Sequence, residues 1–358
     1  MTYERCLSWV IFVLLLGAAC SESPPSVSHE EARPVLRILA SQVSTTERDL
    51  LQQFEKQYGI SIEVRPFAPA ASASLLQSSS LKGADMLWTT DVALLEQAKR
   101  EGYLHKPDSL DVIRQAVFAD SRDSEDYWFA FAKSVWVLAV HSSAAPIPQT
   151  YEEIADPRWA GRVLLTDTSL QDYQGLLSVL MVAVGETRAY QWANQIRQNA
   201  HPQSHQSIES LLQHLNDTPD GMLLTGSHRL GQTIEEGKYP NIRVFFPNQL
   251  QGGSIPKLRL VALLKDAQVP VLARQLLEFL VSREAQTQLC QDDYRYSVRA
   301  DVDLTNLLQE WGEVELRQIN WSELPIYERR ANDVIEIIES ARSLEKSISP
   351  EDFEMPAP

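Results

Sequence analysis

Basic side chains occur at two places in the second half of the chain where an anion could bind. His228 and Arg229 lie together in the small, polar stretch LLTGSHRLGQ, and Lys257 and Arg259 alternate in KLRL. An arginine guanidinium is planar and permanently charged, and its geometry suits phosphate, sulfate or carboxylate oxygens. Because alternate residues of a strand share one face, Lys257 and Arg259 would point to the same side. These residue types indicate a local anion-binding site.

Small hydroxyl and carboxylate residues follow the predicted strands that would border such a site. They are Ser41, Ser44, Asp91, Thr168 and Ser169. Each stands at a strand end or at the start of a predicted helix, where free backbone N–H groups favour an anion. Asp91, Thr168 and Ser169 also suit helix capping, which is compatible with a place in a binding site.

Motifs for resident metals or catalysis are weak. His201 and His205 are four residues apart, but Pro202 between them argues against a continuous helix that would present both. The sequence contains no GxSxG, CxxC, HExxH or P-loop motif. We therefore expect neither an enzyme nor a resident cofactor.

The elements that would position these residues begin with a β-α alternation. Residues 35–41, 60–64 and 84–89 read as strands, and helices start at Ser44 and at Asp91. In the first helix Ser44 and the glutamate three residues later have the spacing of a capping box. Alternation of this kind predicts an α/β fold with a mostly parallel sheet and helices on both faces.

Further strands and helices follow, and we predict two α/β lobes. Residues 127–141 read as a long strand, and residues 161–167, 220–226 and 257–265 as shorter ones. Two mixed sheets flanked by helices would be joined by two hinge strands, with the ligand cleft between the lobes. The predicted boundaries are residues 36–138 for the first lobe, 139–256 for the second, 257–345 for the return to the first lobe with the C-terminal helices, and 346–358 for a disordered tail.

Length and charge agree with this organisation. The chain has 358 residues, which suits two lobes better than one core. A formal net charge of −16 argues against a nucleic-acid or anionic-membrane surface. An anion site would therefore have to be a local cluster of basic groups.

The N-terminus reads as an export signal. Arg5 precedes LSWVIFVLLLGAAC, which is too short to span a bilayer as a mature helix. The ending GAAC resembles a lipobox, so we predict a signal peptide over residues 1–20, lipidation of Cys20 and a flexible tether over residues 21–35. The product would be lipid-anchored in the periplasm or cell envelope. A plain signal peptide with an incidental cysteine is the alternative.

Four segments resemble the ferric-iron-binding family of periplasmic substrate-binding proteins of ABC importers. They are TYEEIADPRWAGRVLLTDTS, VFFPNQ, ARQLLEFLVSREAQ and YRYSVRADV. The resemblance implies two α/β lobes that close on a ligand. It also implies a monomer that delivers its ligand to permease subunits driven by a cytoplasmic ATPase.

The iron ligands of that family are mostly replaced. Where the family usually reads Thr-Tyr-Tyr-Leu-Gly, this chain keeps Leu230 and Gly231 but has His228 and Arg229 in place of the tyrosines. A permanent cation beside the site would repel Fe³⁺. Family members that lack the tyrosine pair include phosphorylated-sugar binders.

Two further positions bear on iron. Asp91 follows the strand after which the family often supplies a carboxylate, and Tyr173 lies close to where some relatives place another tyrosine ligand. A rebuilt ferric site would use Asp91, Tyr173 and His228 with a synergistic anion.

The sequence thus predicts a solute-binding lipoprotein that captures a small anionic solute, either a phosphate ester or an organic anion. Ferric iron in the rebuilt site is the alternative. A sensor or receptor domain that feeds a signalling partner is an alternative of another class.

Overall fold

The computed structural model describes residues 33–68, 72–166, 173–202, 204, 206–234 and 237–347. Cys20, Thr168, Ser169, the signal peptide, most of the tether and most of the tail lie outside these ranges. The predictions made for them remain predictions, as do the boundaries of the two lobes.

The first part of the chain has the predicted alternation of strands and helices. Its elements are β1 (Val35–Ala40), α1 (Thr45–Tyr58), β2 (Ser61–Pro66), α2 (Ser72–Leu75), β3 (Met86–Thr89), α3 (Val92–Arg100), β4 (Leu104–His105) and α4 (Asp111–Ala116). Helix α1 starts at the predicted capping box, because the Ser44 hydroxyl accepts from the Glu47 N–H and the Glu47 carboxylate accepts from the Ser44 N–H. It ends at Gly59, whose φ of 65° is left-handed.

The remainder contains the long strand and most of the helices. Its elements are β5 (Trp128–His141), β6 (Val163–Leu164), α5 (Gln174–Val184), α6 (Glu186–Gln198), α7 (Ile208–Asp217), β7 (Met222–Gly226), α8 (Ser227–Thr233), β8 (Ile242–Phe245), β9 (Pro256–Leu264), α9 (Pro270–Leu280), α10 (Arg283–Asp293), α11 (Asn306–Glu310) and α12 (Leu324–Ser347).

Strand β5 joins the two halves of the sheet. The strand order is β2-β1-β3-β9-β5-β7-β6, with β4 on β9 and β8 on β5. The first half of β5, through Val135, pairs with β9, and the second half, from Trp136, pairs with β7 and β8. All of β5 except His141 is buried, which explains its almost continuous apolar sequence.

The parallel and antiparallel pairs place the ends of several strands at one edge. β1 pairs in parallel with β2 and β3, and β6 pairs in parallel with β7. β9 runs antiparallel to β3 and to β5. The last residues of β1 and β3 therefore lie beside the first residues of β9, where the predicted site residues cluster.

Tyr151 holds the crossover between the two halves. Its buried hydroxyl donates to the Trp136 carbonyl at 2.6 Å and accepts from the Ile255 N–H at 3.0 Å. Trp136 also donates its own N–H to the Ile255 carbonyl at 3.1 Å. The tyrosine thus ties the middle of β5 to the residue that leads into β9.

The C-terminal helix α12 packs against both α3 and α5, which belong to different halves of the sheet. Across the described ranges, no helix is long and apolar enough to cross a membrane.

We expect Tyr151→Phe to lower the free energy of unfolding by about 1–3 kcal/mol, because it leaves the buried Ile255 N–H without its partner. Urea denaturation would measure the loss. Tyr190→Phe, at a side chain that is 41% exposed, is the matched control and should change little. Equal stabilities for the two variants would contradict the role given to Tyr151.

Candidate functional site

A cleft of about 910 Å³ opens where β1 and β3 end and where α8 and β9 begin. Its volume suits a small organic ligand. Its lining includes seven of the nine predicted ligand-binding residues, namely Ser41, Ser44, Asp91, His228, Arg229, Lys257 and Arg259. The other two, Thr168 and Ser169, lie outside the described residues. The structure therefore brings together residues that are more than 200 positions apart.

Arg259 is fixed in the wall by a buried ion pair with Glu47. Its Nε lies 2.7 Å from Glu47 Oε1 and its Nη2 lies 3.1 Å from Oε2, while Nη2 also donates to the Gln42 carbonyl. Burial alone would raise the pKa of Glu47, but the charge and hydrogen bonds of Arg259 outweigh it, so that pKa lies below its usual value. The third nitrogen, Nη1, is buried and has no hydrogen-bond partner among the described residues.

A second buried pair supplies a cation that the sequence did not predict. Arg295 lines the cleft, and its Nε lies 2.9 Å from Asp293 Oδ2. Asp293 also accepts from the Ser44 hydroxyl at 3.3 Å and from the amide of Gln232. The end of α10 is thereby connected to the start of α1 and to the last turn of α8.

Gly231 allows α8 to approach the end of α10 this closely. A Cβ at Gly231 would lie 2.3 Å from the Cβ of Tyr294. Any larger residue there would push α8 away from Asp293 and Arg295.

His228 lies among the cations of the cleft. Its pKa is held well below the usual range, first by burial of the ring. The neighbouring positive charges that add to this effect are those of Arg295, Lys257, Arg229 and Arg259. The imidazole is therefore neutral at neutral pH, and its buried Nδ1 has no hydrogen-bond partner among the described residues.

Lys257 and Arg229 complete the group that we call the cation cluster: Arg229, Lys257, Arg259 and Arg295. The Lys257 ammonium lies 5.0 Å from the centre of the Trp136 ring, which is a cation–π contact. Lys257 and Arg229 are both half-buried in the cleft wall. Lys257 and Arg259, which alternate in KLRL, thus both border the cleft.

A pair of carboxyl groups, Asp91 and Glu328, forms another part of the lining. Asp91 caps α3, because its Oδ1 accepts from the Leu94 N–H at 2.7 Å. Glu328, from α12, accepts from the Ala93 N–H at 3.1 Å. Burial, then the charge of Asp91 and a hydrogen bond to it, raises the pKa of Glu328 well above its usual value. Glu328 is therefore a protonated donor to Asp91 over a wider pH range than an ordinary glutamate.

The rebuilt ferric site is only partly assembled. Asp91 and His228 both line the cleft, but Tyr173 does not. The Tyr173 hydroxyl is buried and donates to the Leu224 carbonyl at 3.1 Å, and its ring packs 5.2 Å from that of Trp136. The prediction of Tyr173 as an iron ligand is wrong for this structure, because its hydroxyl is used within the core.

No tyrosine lines the described part of the cleft, and no three His, Cys, Asp or Glu ligand atoms come together there. The described residues bring three such ligands together at His201, His214 and Asp220, which lie outside the cleft. His205, the other member of the histidine pair noted in the sequence, falls outside the described residues.

Sequence reasoning missed Glu47, Arg295 and Glu328 as parts of the site. The sequence explained Glu47 fully as a helix cap, and nothing in it pairs that residue with Arg259 across 212 positions. Arg295 lies within the segment YRYSVRADV, which carries part of the family resemblance. A basic residue in that segment was the one sequence signal that could have indicated its place in the site.

Comparison with known proteins gives consistent results. Residues 82–322 match the family model described as bacterial extracellular solute-binding protein. Iron uptake protein A1 from Synechocystis sp. (strain ATCC 27184 / PCC 6803 / Kazusa) is 27% identical over 320 residues, which cover 84% of this chain and 88% of that protein.

Many solved structures are similar in fold, and two of them bear on the ligand. One is a Trichodesmium protein in complex with iron and citrate ligands (TM-score 0.70, 22% identity), with 86% of this chain and 98% of the other covered. The second is a periplasmic binding protein from Actinobacillus pleuropneumoniae with exogenous fructose-6-phosphate bound (TM-score 0.67, 15% identity), with 86% and 99% covered. The predicted two-lobed α/β fold is confirmed.

We expect Glu328→Gln to remove a pH dependence of stability. The folded-state pKa of Glu328 is raised above its unfolded value, near 4.5, so wild-type stability falls as pH rises from about 4.5 through the folded pKa. The loss is about 1.4 kcal/mol for each pH unit between the two pKa values. Glutamine mimics the protonated acid and should give a flatter curve.

Urea denaturation between pH 4 and pH 8 would measure the effect, with the exposed Glu313→Gln as the matched control. If the free energy of unfolding of wild type and of Glu328→Gln changed with pH in parallel, Glu328 would not be the protonated donor to Asp91.

Proposed function

Because the chain belongs to the bacterial extracellular solute-binding proteins, we propose that it captures a small anionic iron complex and delivers it to an ABC permease for import. The family is one of solute-binding proteins, so binding and release are the activities to be explained. The match also supports the resemblance inferred from the sequence motifs, and it implies export of the chain. Lipid anchoring through Cys20 belongs to the proposal.

The comparisons favour iron over a phosphate ester as the cargo. Iron uptake protein A1 is named for iron uptake, and the Trichodesmium structure holds iron and citrate. The described cleft, however, offers no phenolate to bind bare Fe³⁺. A ferric complex with a polycarboxylate such as citrate would bring its own hard, anionic oxygen ligands.

The observation that carries the proposal is the cation cluster with two unpartnered nitrogens beside it. Arg259 Nη1 and His228 Nδ1 are both buried and lack hydrogen-bond partners among the described residues. Leaving a buried donor unpaired costs about 1–3 kcal/mol, so an anionic ligand that accepts from Arg259 would recover that cost. Charge-assisted hydrogen bonds of this kind are also short and strong.

Binding would be coupled to closure of the two lobes about β5 and the entry to β9. The cleft takes its walls from both halves of the sheet, because Ser41 and Asp91 follow strands of one half and His228 and Arg229 begin a helix of the other. A ligand that contacts both walls stabilises the closed form more than the open form. The closed form would then dock on the permease.

A phosphate ester free of metal is the second candidate. The cation cluster suits a phosphoryl group as well as it suits carboxylates. The Actinobacillus pleuropneumoniae structure, which holds fructose-6-phosphate, supports this candidate at the level of the fold. The two candidates differ in whether iron is required for tight binding.

We expect ferric citrate to raise the melting temperature of the purified chain by several degrees, and citrate alone to raise it less. A ligand at about a hundred times its dissociation constant adds about 2.7 kcal/mol. Ferric nitrilotriacetate and fructose-6-phosphate complete the panel, and calorimetry would give the affinities. Tight binding of fructose-6-phosphate without any response to ferric citrate would establish the second candidate instead.

We also expect Arg229→Gln to weaken ferric citrate binding by about 1.5–3 kcal/mol, since a charged donor to the anion is lost. Arg188→Gln, at an exposed position of α6, removes the same charge from the surface and should leave the affinity unchanged. Equal affinities for the two variants, measured by calorimetry at one ionic strength, would remove Arg229 from the site.

A further inference from the structure

Two imidazoles and a carboxylate converge at a position remote from the cleft. His201 follows α6, His214 lies in the last turn of α7, and Asp220 lies in the turn that leads into β7. His214 Nε2 is 3.2 Å from Asp220 Oδ1, and His201 Nε2 is 3.9 Å from Asp220 Oδ2. The potential ligand atoms of the three residues all lie within 4.8 Å of one another.

We propose that His201, His214 and Asp220 form a second binding site, specific for a borderline divalent transition metal such as Zn²⁺. Imidazole nitrogen combined with one carboxylate oxygen is a donor set that suits Zn²⁺, Cu²⁺ and Ni²⁺ better than Ca²⁺ or Mg²⁺. A fourth position would be taken by water, because three protein ligands leave a tetrahedral ion open on one side.

The distances require only a small contraction. Zn²⁺ bonds to nitrogen and oxygen are about 2.0–2.2 Å long, which places tetrahedral donor atoms about 3.3–3.5 Å apart. The His214–Asp220 separation of 3.2 Å already fits, and the His201–Asp220 separation of 3.9 Å is slightly longer. A small rotation of the His201 or Asp220 side chain would shorten that separation to the tetrahedral value. The two imidazoles are already close, because the His201 and His214 ring centres are 4.8 Å apart.

Surrounding groups fix the ligands from outside. The Thr218 hydroxyl donates to the His214 carbonyl at 2.8 Å and lies 3.0 Å from Asp220 Oδ1. The Asp220 carbonyl accepts from Arg162 Nε at 3.2 Å. Outer contacts of this kind orient ligands and raise metal affinity. The backbone of His201 is also anchored, because its N–H donates to the Val163 carbonyl at 2.8 Å.

The exposure of the three side chains allows entry of an ion. Side-chain exposure is 12% for His201, 24% for His214 and 56% for Asp220. The imidazoles are thus held against the protein while the carboxylate faces solvent. A bound ion would tie three consecutive segments of the chain together at this edge of the sheet.

This site is separate from the ligand cleft. Asp220 precedes β7, whereas Ser227 and His228 follow it, so the two sites lie at opposite ends of one strand. Five strand residues span roughly 17 Å. Occupation of the metal site is therefore independent of the proposed cargo. If the chain binds no metal there, the proposal for the cleft is unaffected.

The test is Zn²⁺ calorimetry on the full chain without a histidine tag, with Co²⁺ absorption as a second readout. We expect one equivalent of Zn²⁺ to bind outside the cleft and to raise the melting temperature relative to a chelator-treated sample. His214→Gln and Asp220→Asn should each weaken binding by at least about tenfold. Co²⁺ should give the intense visible absorption bands of a four-coordinate ion in the wild type but not in His214→Gln or Asp220→Asn.

His105→Gln is the matched control, because it removes an exposed histidine from β4 and should leave Zn²⁺ affinity unchanged. Lys257→Gln should also leave it unchanged, since that variant alters only the cleft. In chelator every variant should still melt in one cooperative transition, which excludes misfolding as the cause of any loss. Absence of stoichiometric Zn²⁺ binding by the wild type, or equal affinity in His214→Gln, would overturn the proposal and leave Asp220 as a hydrogen-bond acceptor for two imidazoles.

Discussion

The buried ion pair of Glu47 and Arg259 is the interaction on which the rest of the cleft depends. Both side chains are almost fully excluded from solvent, and a charge in that position is tolerated only beside a partner. Glu47 uses the same carboxylate to cap α1, so the start of the helix and the start of β9 are fixed to each other. The pair also fixes the direction of the guanidinium. Because the guanidinium is already held in one position, little side-chain entropy would be lost at Arg259 when a ligand binds beside it.

The second buried arginine of the cleft is held by a partner of opposite charge in the same way. Arg295 is paired with Asp293, and Asp293 is in turn held by Ser44 and Gln232, so the two ion pairs share the start of α1. Arg259 and Arg295 are thus embedded in a hydrogen-bonded network instead of extending into solvent on flexible side chains. Solvent screens buried charges poorly, so their field acts on whatever enters. After burial, which is the larger cause, the same charges lower the pKa of His228.

The sequence predicted much of this arrangement because most of its signals are local. The capping box of Ser44, the cap at Asp91 and the alternation of Lys257 and Arg259 each depend on spacings of two or three residues, and all are present in the structure. The β-α alternation and the strand ends located the cleft, since the carboxyl ends of parallel strands meet at one edge.

What the sequence could not predict is the pairing of residues that are far apart in the chain. Glu47 with Arg259, and Asp91 with Glu328, are joined only by the fold. The prediction of Tyr173 as an iron ligand is wrong for a related reason. A tyrosine close to a predicted site in the sequence can instead donate its hydroxyl to a carbonyl of the core, and here it donates to the Leu224 carbonyl. The contact of His201 with His214 from α7 is likewise made by the fold, and no local spacing in the sequence indicates it.

The resemblance implies a tyrosine pair in relatives at the positions of His228 and Arg229, and the two kinds of site would need ligands of opposite charge. A cleft lined with phenolates provides anionic oxygens and requires a cation. A cleft lined with the cation cluster provides positive charge, so the ligand that we propose for it is an anion, whatever metal that anion carries. Iron and a cationic cleft are therefore compatible only if iron arrives as a negatively charged complex, so that the chelator contacts the arginines and the metal contacts the chelator. On this argument specificity belongs to the shape and charge of the whole complex, and the same fold could pass from metal to organic anion without relocating its cleft.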